Sequence, residues 1–231
     1  MKQMPLSLQP TQARGFDDFI VGRNAQLLAH LHALAHDPGG TARRAPVTYL
    51  WGEAGSGKSH LLQALAQRLR SPGGTVAWVV PGQPAPGLDA VGEGCRALII
   101  DDCDGLDGAH QHAAFGAFVQ ASAGSLPVLA AGRRPPVDLA VRDDLRTRLG
   151  WGLIFEVLPL SDEERGQALQ REAQRRGLRL GEGVQSYLLT RFDRDLGSLM
   201  ALLDRLDRFS LAQQRALTVP LLKTMLNEDV T

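Results

Sequence analysis

Five short apolar runs alternate with helical segments along the first two-thirds of the chain. The runs are apolar on both faces, which is typical of buried parallel strands. They cover residues 47–51, 76–80, 97–100, 127–131 and 153–157, and the helical segments cover residues 24–36, 58–70 and 108–123. Loops rich in glycine and proline separate these segments. Strands that alternate with helices predict an α/β fold with a parallel sheet.

The pattern becomes entirely helical after Pro159. Ser161 and Glu164 have the spacing of a capping box, which marks the start of a helix. Residues 178–181 interrupt the helical pattern, and residues 195–209 then place leucines on one face, at positions 196, 199, 202, 203 and 206. We therefore predict a flexible tail over residues 1–15, an α/β domain over 16–159 and a small all-helical domain over 160–231.

Composition narrows the functional classes. The 231 residues are 44% hydrophobic, and 25 Lys and Arg balance 25 Asp and Glu. A net charge of zero gives no global reason to expect tight binding to nucleic acid, where neutralised phosphates supply much of the affinity. No run of about 18 apolar residues indicates a membrane span, and the first residues lack the pattern of a secretion signal. We expect a cytoplasmic protein that does not contact a membrane.

The sequence GEAGSGKS at residues 52–59 has the spacing of a phosphate-binding P-loop. It follows a predicted strand and opens a predicted helix, which is the context that this motif requires. The cofactor-binding residues predicted here are Gly52, Gly55, Ser56, Gly57, Lys58 and Ser59. The glycines let backbone N–H groups turn toward phosphate oxygens, and the start of the helix adds partial positive charge. Lys58 is expected to reach the outer phosphates and Ser59 to hold Mg²⁺.

Two acidic residues end the third apolar run. Asp101 is positioned to bind Mg²⁺ directly or through water, and Asp102 takes the place of a general base or water-orienting acid. Two aspartates could also simply terminate a strand, but their position after a P-loop favours a functional role. The motifs together predict a site for ADP or ATP with Mg²⁺.

These motifs resemble those of the AAA+ ATPases, and within them the lineage of the replication initiator DnaA. The resemblance rests on WGEAGSGKSHLL at residues 51–62, IIDD at 99–102 and LRTRLGWG at 145–152. It implies an AAA+ P-loop domain with a parallel sheet, followed by a helical lid domain. The last of these stretches resembles the motif that carries an arginine finger, which supplies positive charge to the γ-phosphate held by a neighbouring subunit. The resemblance places Arg148 at the finger position.

The same resemblance implies further nucleotide contacts. FDDFIVG at residues 16–22 resembles the segment that packs around adenine, through Phe19, Val21 and Gly22. DRDL at residues 193–196 resembles the sensor-2 segment, with Arg194 facing the phosphates of its own subunit. His60 follows the P-loop and is counted with the nucleotide-binding residues, although local packing is the simpler expectation for it.

The order of the motifs resembles that of the Hda family. A full initiator would continue into a helix-turn-helix domain, whereas this sequence ends at Thr231 after the lid. The resemblance implies a negative regulator of replication initiation that binds ADP or ATP and docks on the sliding clamp, the β subunit of DNA polymerase III. Its arginine finger would then stimulate hydrolysis of the ATP bound to DnaA. DNA would be contacted mainly through the clamp, in association with the replisome and nucleoid.

The first residues carry a short pattern that fits this reading. Clamp-binding peptides of bacteria resemble a glutamine followed by apolar residues at alternating positions, and Gln3, Met4, Leu6 and Leu8 match that pattern. Taken alone, these residues are more typical of a disordered terminus or of an apolar tail folded back on the body. The family context favours a clamp-binding motif, because such a protein needs a tether.

Two alternatives remain open from the sequence. One is a self-hydrolysing AAA+ ATPase that acts as a helicase loader or initiation factor, and the other is a DNA-binding initiator fragment. Arg133 stands where sensor 1 is expected, and an arginine cannot accept a hydrogen bond from water. This favours retention of nucleotide and weak intrinsic ATPase activity. A homodimer through nucleotide-bridged interfaces is a further open arrangement.

Overall fold

The structure is a computed structural model that describes residues 15–38, 46–70, 73–85, 87–192 and 196–228. These residues divide by their contacts into two compact units. The first contains the described part of Met1–Phe19, with Gln26–Trp51 and Lys58–Glu156. The second contains Ile20–Ala25, Gly52–Gly57 and the described part of Val157–Thr231. The division is discontinuous in sequence, so it does not test the predicted domain boundaries.

A five-stranded parallel sheet forms the centre of the first unit. Its strands are β1 (Val47–Trp51), β2 (Thr75–Val79), β3 (Cys95–Ile100), β4 (Val128–Gly132) and β5 (Leu153–Glu156). The spatial order is β2-β3-β4-β1-β5. In this register Val47 pairs with Val128 of β4, and Thr48 pairs with Leu153 of β5. All five strands point the same way, so they share an amino edge, where they begin, and a carboxyl edge, where they end.

Helices and short 3₁₀ turns flank the strands. The helices are α1 (Ala25–His36), α2 (Lys58–Leu69), α3 (Gly108–Ala123) and α4 (Asp143–Leu149), and the 3₁₀ turns are at Phe16–Asp18, Leu88–Val91, Cys103–Gly105 and Pro136–Asp138. α1 precedes β1, whereas α2, α3 and α4 each lie between two strands, and the segment between β2 and β3 contains the turn at Leu88–Val91. Buried side chains of β1, β3 and β4 pack with those of α3 and α4 in one hydrophobic core, which includes Tyr49, Leu98, Phe118 and Leu145. The three central strands β1, β3 and β4 each bury an almost continuous apolar run, as a sheet covered on both faces requires. The edge strands β2 and β5 are more exposed.

In the described part of the second unit, four helices follow β5 in the sequence. They are α5 (Asp162–Arg175), α6 (Val184–Arg191), α7 (Leu196–Gln213) and α8 (Val219–Glu228). The predicted capping box is confirmed, because the Ser161 hydroxyl accepts from the Glu164 N–H and the Ser161 N–H donates to the Glu164 carboxylate. Of the predicted leucine stripe, positions 199, 202, 203 and 206 lie in the core of this unit. The helical lid region predicted from the sequence is therefore present.

Two other observations complete the fold. Hydrogen bonds from Arg175 and Arg176 lower the pKa of Glu172 to about 2. Glu172 therefore stays charged and pairs with both arginines at the end of α5. Among the described residues, no helix is both long enough and apolar enough to cross a membrane.

Candidate functional site

The predicted P-loop connects the end of β1 to the start of α2. Gly52, Gly55 and Gly57 have φ angles of 151°, 75° and 101°, which lie in the region that favours glycine. A Cβ atom on Gly52 would also lie 2.6 Å from the carbonyl oxygen of Val157, so this position has no room for a side chain. The Ser56 N–H donates to the Glu53 carbonyl at 3.3 Å and closes a tight turn. The loop therefore has the backbone conformation that the motif predicts.

Lys58 and Ser59 begin α2 and lie beside Asp101 at the carboxyl edge of the sheet. The Ser59 hydroxyl donates to the Asp101 carboxylate. Burial raises the pKa of Asp101, although the bond from Ser59 opposes that shift. Burial also lowers the pKa of Lys58, and the attraction of Asp101 and Asp104 partly offsets it. The fold thus brings together the lysine, hydroxyl and carboxylate that the sequence assigned to phosphate and Mg²⁺.

The donor set fits a magnesium ion. Mg²⁺ prefers oxygen ligands and is usually held by one or two carboxylates, with the remaining positions filled by water and phosphate oxygens. Ser59 and Asp101 supply a hydroxyl and a carboxylate side by side. The predicted roles of these two residues in holding the ion are chemically consistent, and they stay predictions.

Asp102 leaves the sheet in an unusual conformation. Its φ is 50°, and its N–H donates to the Asp101 carboxylate at 2.9 Å. The Asp102 side chain is exposed at the carboxyl edge. Two residues later, Asp104 accepts from the Arg133 N–H at 2.6 Å. Asp104 was not predicted, because only the fold places this turn beside the end of β4.

Arg133, at the expected sensor-1 position, follows β4 at the same edge. It is exposed, and its positive charge contributes to lowering the pKa of Lys58. The carboxyl edge of the first unit therefore carries two cations, Lys58 and Arg133, and three aspartates, Asp101, Asp102 and Asp104. A group with several negative charges, such as a phosphate chain, would find both Lys58 and Arg133 there.

The predicted adenine segment is divided between the two units. In the first, the Phe19 ring lies edge-on to His60 at 5.7 Å, and His60 Nε2 lies 2.9 Å from the Gly15 carbonyl oxygen. His60 thus has the local packing role that was the simpler expectation. In the second unit, Val21 is partly exposed and Gly22 has a φ of 48°, with the Glu164 carboxylate 3.1 Å from where its Cβ would lie.

Arg148 lies near the end of α4, away from the cluster around Lys58. Arg148 comes shortly before β5 in the sequence, so it lies toward the amino edge of the sheet. Lys58 and Asp101 come after strands and lie at the carboxyl edge. Five residues of β1 span about 13 Å between the two edges. Arg148 is half-buried, and within the described residues no carboxylate pairs with its guanidinium.

The remaining predicted residues lie outside the described part of the chain. They are the clamp-motif residues Gln3, Met4, Leu6 and Leu8, and the sensor-2 residue Arg194. Sequence reasoning also missed three residues around Arg148, namely Phe115, Phe118 and Trp151. Trp151 lies within the stretch that suggested the finger, and the two phenylalanines are one turn apart on α3, but nothing in the sequence links them to an arginine.

Two family profiles match this chain. The lid domain of Hda matches residues 162–226, and the bacterial DnaA ATPase domain matches residues 11–77. The first match covers most of the four helices of the second unit. The second match includes the predicted adenine segment, β1, the P-loop and α2.

Solved structures with the same fold include initiators and a motor protein. Domain III of the replication initiation protein DnaA from Thermotoga maritima has a TM-score of 0.78 at 20% identity, over 95% of this chain and 98% of that one. DnaA from Aquifex aeolicus bound to AMPPCP has a TM-score of 0.69 at 21% identity, over 85% of this chain and 65% of that one. The RuvB Holliday junction branch migration motor of T. maritima has a TM-score of 0.65 at 18% identity, over 93% and 71%.

The parallel sheet, the P-loop and the helical lid region give this chain the fold of those structures. Its two profile matches relate it to the lid domain of Hda over residues 162–226 and to the ATPase domain of bacterial DnaA over residues 11–77. The chain is thus a Hda- and DnaA-related AAA+ protein, as its motifs indicated, and the matches support a DnaA-related replication regulator. It spans about 65% of the Aquifex DnaA chain, so the activities of complete initiators do not transfer to it directly.

Proposed function

We propose that this protein is a negative regulator of replication initiation that stimulates hydrolysis of DnaA-bound ATP through Arg148. The observation that carries the proposal is the separation of Arg148 from the P-loop edge of its own sheet. A finger at the amino edge cannot serve a phosphate held beside Lys58 at the carboxyl edge, so it is available to the nucleotide of a partner. The Hda-type lid supports DnaA as that partner.

The P-loop binds an adenine nucleotide in this proposal. The DnaA of A. aeolicus binds AMPPCP, and this chain has the same fold. Gly52, Gly55, Ser56 and Gly57 would contact the phosphates through the backbone, and Lys58 through its ammonium. Ser59 and Asp101 would hold Mg²⁺, which would supply positive charge to neutralise the phosphates. Arg133 at the same edge favours holding the nucleotide over turning it over, because it offers donors and no base.

The arginine finger acts on another chain's nucleotide. A guanidinium carries its charge at any physiological pH and presents five N–H donors in a fixed fork. Arg148 is half-buried at the surface of α4 and has no carboxylate partner within the described residues, so it has charge to offer to a γ-phosphate. Such a finger can raise the rate of hydrolysis by about 10³ or more.

The amino-terminal motif provides the tether to the sliding clamp. Gln3 would supply oriented hydrogen bonds, and Met4, Leu6 and Leu8 would enter a groove of the clamp in extended conformation. Burying two or three such side chains contributes about 4–8 kcal/mol before the cost of ordering the tail. We place this regulator at the replisome in the bacterial cytoplasm, with DNA contacted mainly through the clamp.

A reconstituted reaction tests the proposal. The protein is mixed with clamp loaded on DNA and with ATP-bound DnaA, and the ADP formed on DnaA is measured. Wild type should stimulate hydrolysis, and Arg148→Ala should not, although it should still bind nucleotide and clamp. Equal stimulation by the two proteins would refute the role of Arg148.

The tail is tested in the same reaction. Deleting residues 1–8 should remove clamp binding and stimulation while nucleotide binding is retained. A deletion variant that still stimulates fully on loaded clamp would show that the tether lies elsewhere. Substantial steady-state ATPase activity of the protein with no partner present would instead favour a self-hydrolysing loader.

A further inference from the structure

The guanidinium of Arg148 lies against three aromatic rings. Its central carbon is 4.9 Å from the ring centre of Trp151, 5.0 Å from that of Phe115 and 5.5 Å from that of Phe118. Each distance is within the range of about 6 Å in which an aromatic ring attracts a cation. We call Phe115, Phe118 and Trp151 the aromatic cage.

Local structure builds the cage from two segments. Phe115 and Phe118 are one turn apart on α3 and therefore share a face of that helix. Trp151 follows the end of α4. Its backbone N–H donates to the backbone carbonyl of Arg148 at 3.1 Å, which keeps the indole ring close to the arginine. The rings of Phe118 and Trp151 meet edge-on at 6.4 Å. Two of the three rings of the cage therefore contact each other directly.

Gly152, the residue after Trp151, holds the backbone close to the start of β1. A Cβ atom on Gly152 would lie 1.9 Å from the carbonyl oxygen of Val47, so only glycine lets the backbone pass the start of β1 at this point. The chain enters β5 directly afterwards. Trp151 is thus anchored between a helix end and a strand, although the residue is 56% exposed.

Arg146, on the same helix, is held in a different way, since it pairs with Asp143 at 2.6 Å. Arg142, the residue before α4, pairs with Asp144 at 2.7 Å and also lies over the Phe115 ring, with its central carbon 5.5 Å from the ring centre. A carboxylate neutralises an arginine and occupies its N–H donors. An aromatic face attracts the cation without neutralising it, and leaves the N–H groups at the rim of the guanidinium free to bind an anion.

We propose that Phe115 and Trp151 are positioning residues for the arginine finger. The cage holds the Arg148 side chain in one orientation while its charge and its donors stay uncommitted. Less side-chain entropy is then lost when the guanidinium binds a γ-phosphate, so the interaction is opposed by a smaller cost of ordering the Arg148 side chain. This inference rests on the proposed function, since it takes Arg148 as the finger.

The cage itself can be tested without a partner. Protons of the Arg148 side chain that lie over aromatic faces should resonate upfield of the same protons in a free arginine, because of ring currents. Trp151→Leu and Phe115→Leu should each move these resonances toward the free values, and the Arg146 resonances should change much less. Arg148 resonances at free values in the wild type would overturn the cage.

The positioning role is tested by the stimulated hydrolysis of DnaA-bound ATP. Trp151→Leu should lower the maximal stimulated rate by about tenfold, which is about 1.4 kcal/mol in the activation free energy, because the guanidinium is no longer held in one orientation. The concentration of this protein that gives half the effect should stay within about twofold of wild type. Trp151→Phe keeps an aromatic face and should recover most of the rate. Arg146→Ala serves as the matched control and should retain it.

Three results would overturn the inference. Trp151→Leu and Phe115→Leu could keep the wild-type rate, in which case the cage does not position the finger. Trp151→Leu could raise only the half-effect concentration, in which case Trp151 contacts the partner directly. Retained stimulation by Arg148→Ala would defeat the proposed function itself, and the role of the cage with it. Melting temperatures of all variants distinguish these results from failure to fold.

Discussion

The two edges of the sheet treat their cations in opposite ways. At the carboxyl edge Lys58 is surrounded by Asp101, Asp102 and Asp104, and burial lowers its pKa. At the amino edge Arg148 lies on aromatic rings, and within the described residues no carboxylate pairs with it. The first arrangement surrounds the Lys58 ammonium with carboxylates of its own fold. The second keeps a positive charge available at the surface.

This contrast fits the proposed function, in which the carboxyl edge binds this protein's own nucleotide and Arg148 acts on the nucleotide of DnaA. A regulator that retains its own nucleotide needs a site whose charges are balanced when phosphate and Mg²⁺ are bound. A regulator that acts on a partner needs a cation that its own fold does not neutralise. The variants below change one edge at a time, so each tests whether the two edges function independently.

The largest expected effect concerns Lys58. Lys58→Ala should weaken binding of ADP by about 10- to 100-fold, because a charge-assisted hydrogen bond to phosphate contributes about 1.5–3 kcal/mol. Isothermal titration calorimetry measures the change. Arg68→Ala, on the exposed side of α2, is the control and should bind ADP as wild type does. Unchanged ADP affinity in Lys58→Ala would contradict the predicted phosphate site.

A smaller effect is expected at Asp101. Asp101→Asn should lose about tenfold of the gain in nucleotide affinity that Mg²⁺ gives, since a neutral amide is a weaker ligand for a hard cation. Titrations with Mg²⁺ and with a chelator measure this gain in both proteins. Asp138→Asn, at an exposed carboxylate in the same unit, should keep the wild-type dependence.

Asp101 also predicts a pH dependence of stability. Burial raises its pKa in the folded state, so the folded protein binds the proton more tightly than the unfolded chain does. This contribution to stability is complete below the unfolded pKa of about 3.9 and is lost as the pH rises through the folded pKa. The free energy of unfolding of Asp101→Asn, measured in urea without nucleotide, should therefore rise relative to wild type between about pH 3 and pH 7. The opposite trend would mean that Ser59 and Asp102 stabilise the charged form more than burial opposes it.

The smallest expected effects are in the stability of the two arginine variants on α4. Arg148→Ala should cost about 1 kcal/mol, from its three ring contacts. Arg146→Ala should cost about 0.3 kcal/mol, because its ion pair is at the surface. Urea unfolding at low and high salt distinguishes them, since salt should shrink the cost of losing Arg146 and leave that of Arg148 nearly unchanged. Equal salt sensitivity would mean that Arg148 is held by charge pairing after all.

Local signals in the sequence predicted the elements around the nucleotide edge. The run that forms β1 and the helix at Gly108–Ala123 have the predicted bounds, because apolar patterning and flanking glycines mark both. α4 was quoted as a motif and not predicted as a helix, since seven residues give little periodicity. The P-loop could be predicted because its phosphate-binding groups belong to consecutive residues, so the motif can be recognised directly in the sequence.

Contacts between distant segments could not be predicted in the same way. Phe115 and Arg148 are far apart in sequence, and they meet only because α3 and α4 pack against the same sheet. Asp104 reaches Arg133 for a similar reason, since β3 and β4 are neighbours in the sheet. The strand order that places Arg148 at the opposite edge from Lys58 is likewise a property of the fold. Sequence therefore predicted the chemistry of the residues better than their surroundings.

The central claim is that Arg148 serves a nucleotide outside its own chain. The most direct measurement compares wild type, Arg148→Ala and Lys58→Ala for ADP formation on DnaA with loaded clamp, together with ADP binding by each protein. The account predicts that Arg148→Ala binds ADP normally and fails to stimulate hydrolysis. Normal stimulation by Arg148→Ala, or loss of its own ADP binding, would contradict the account.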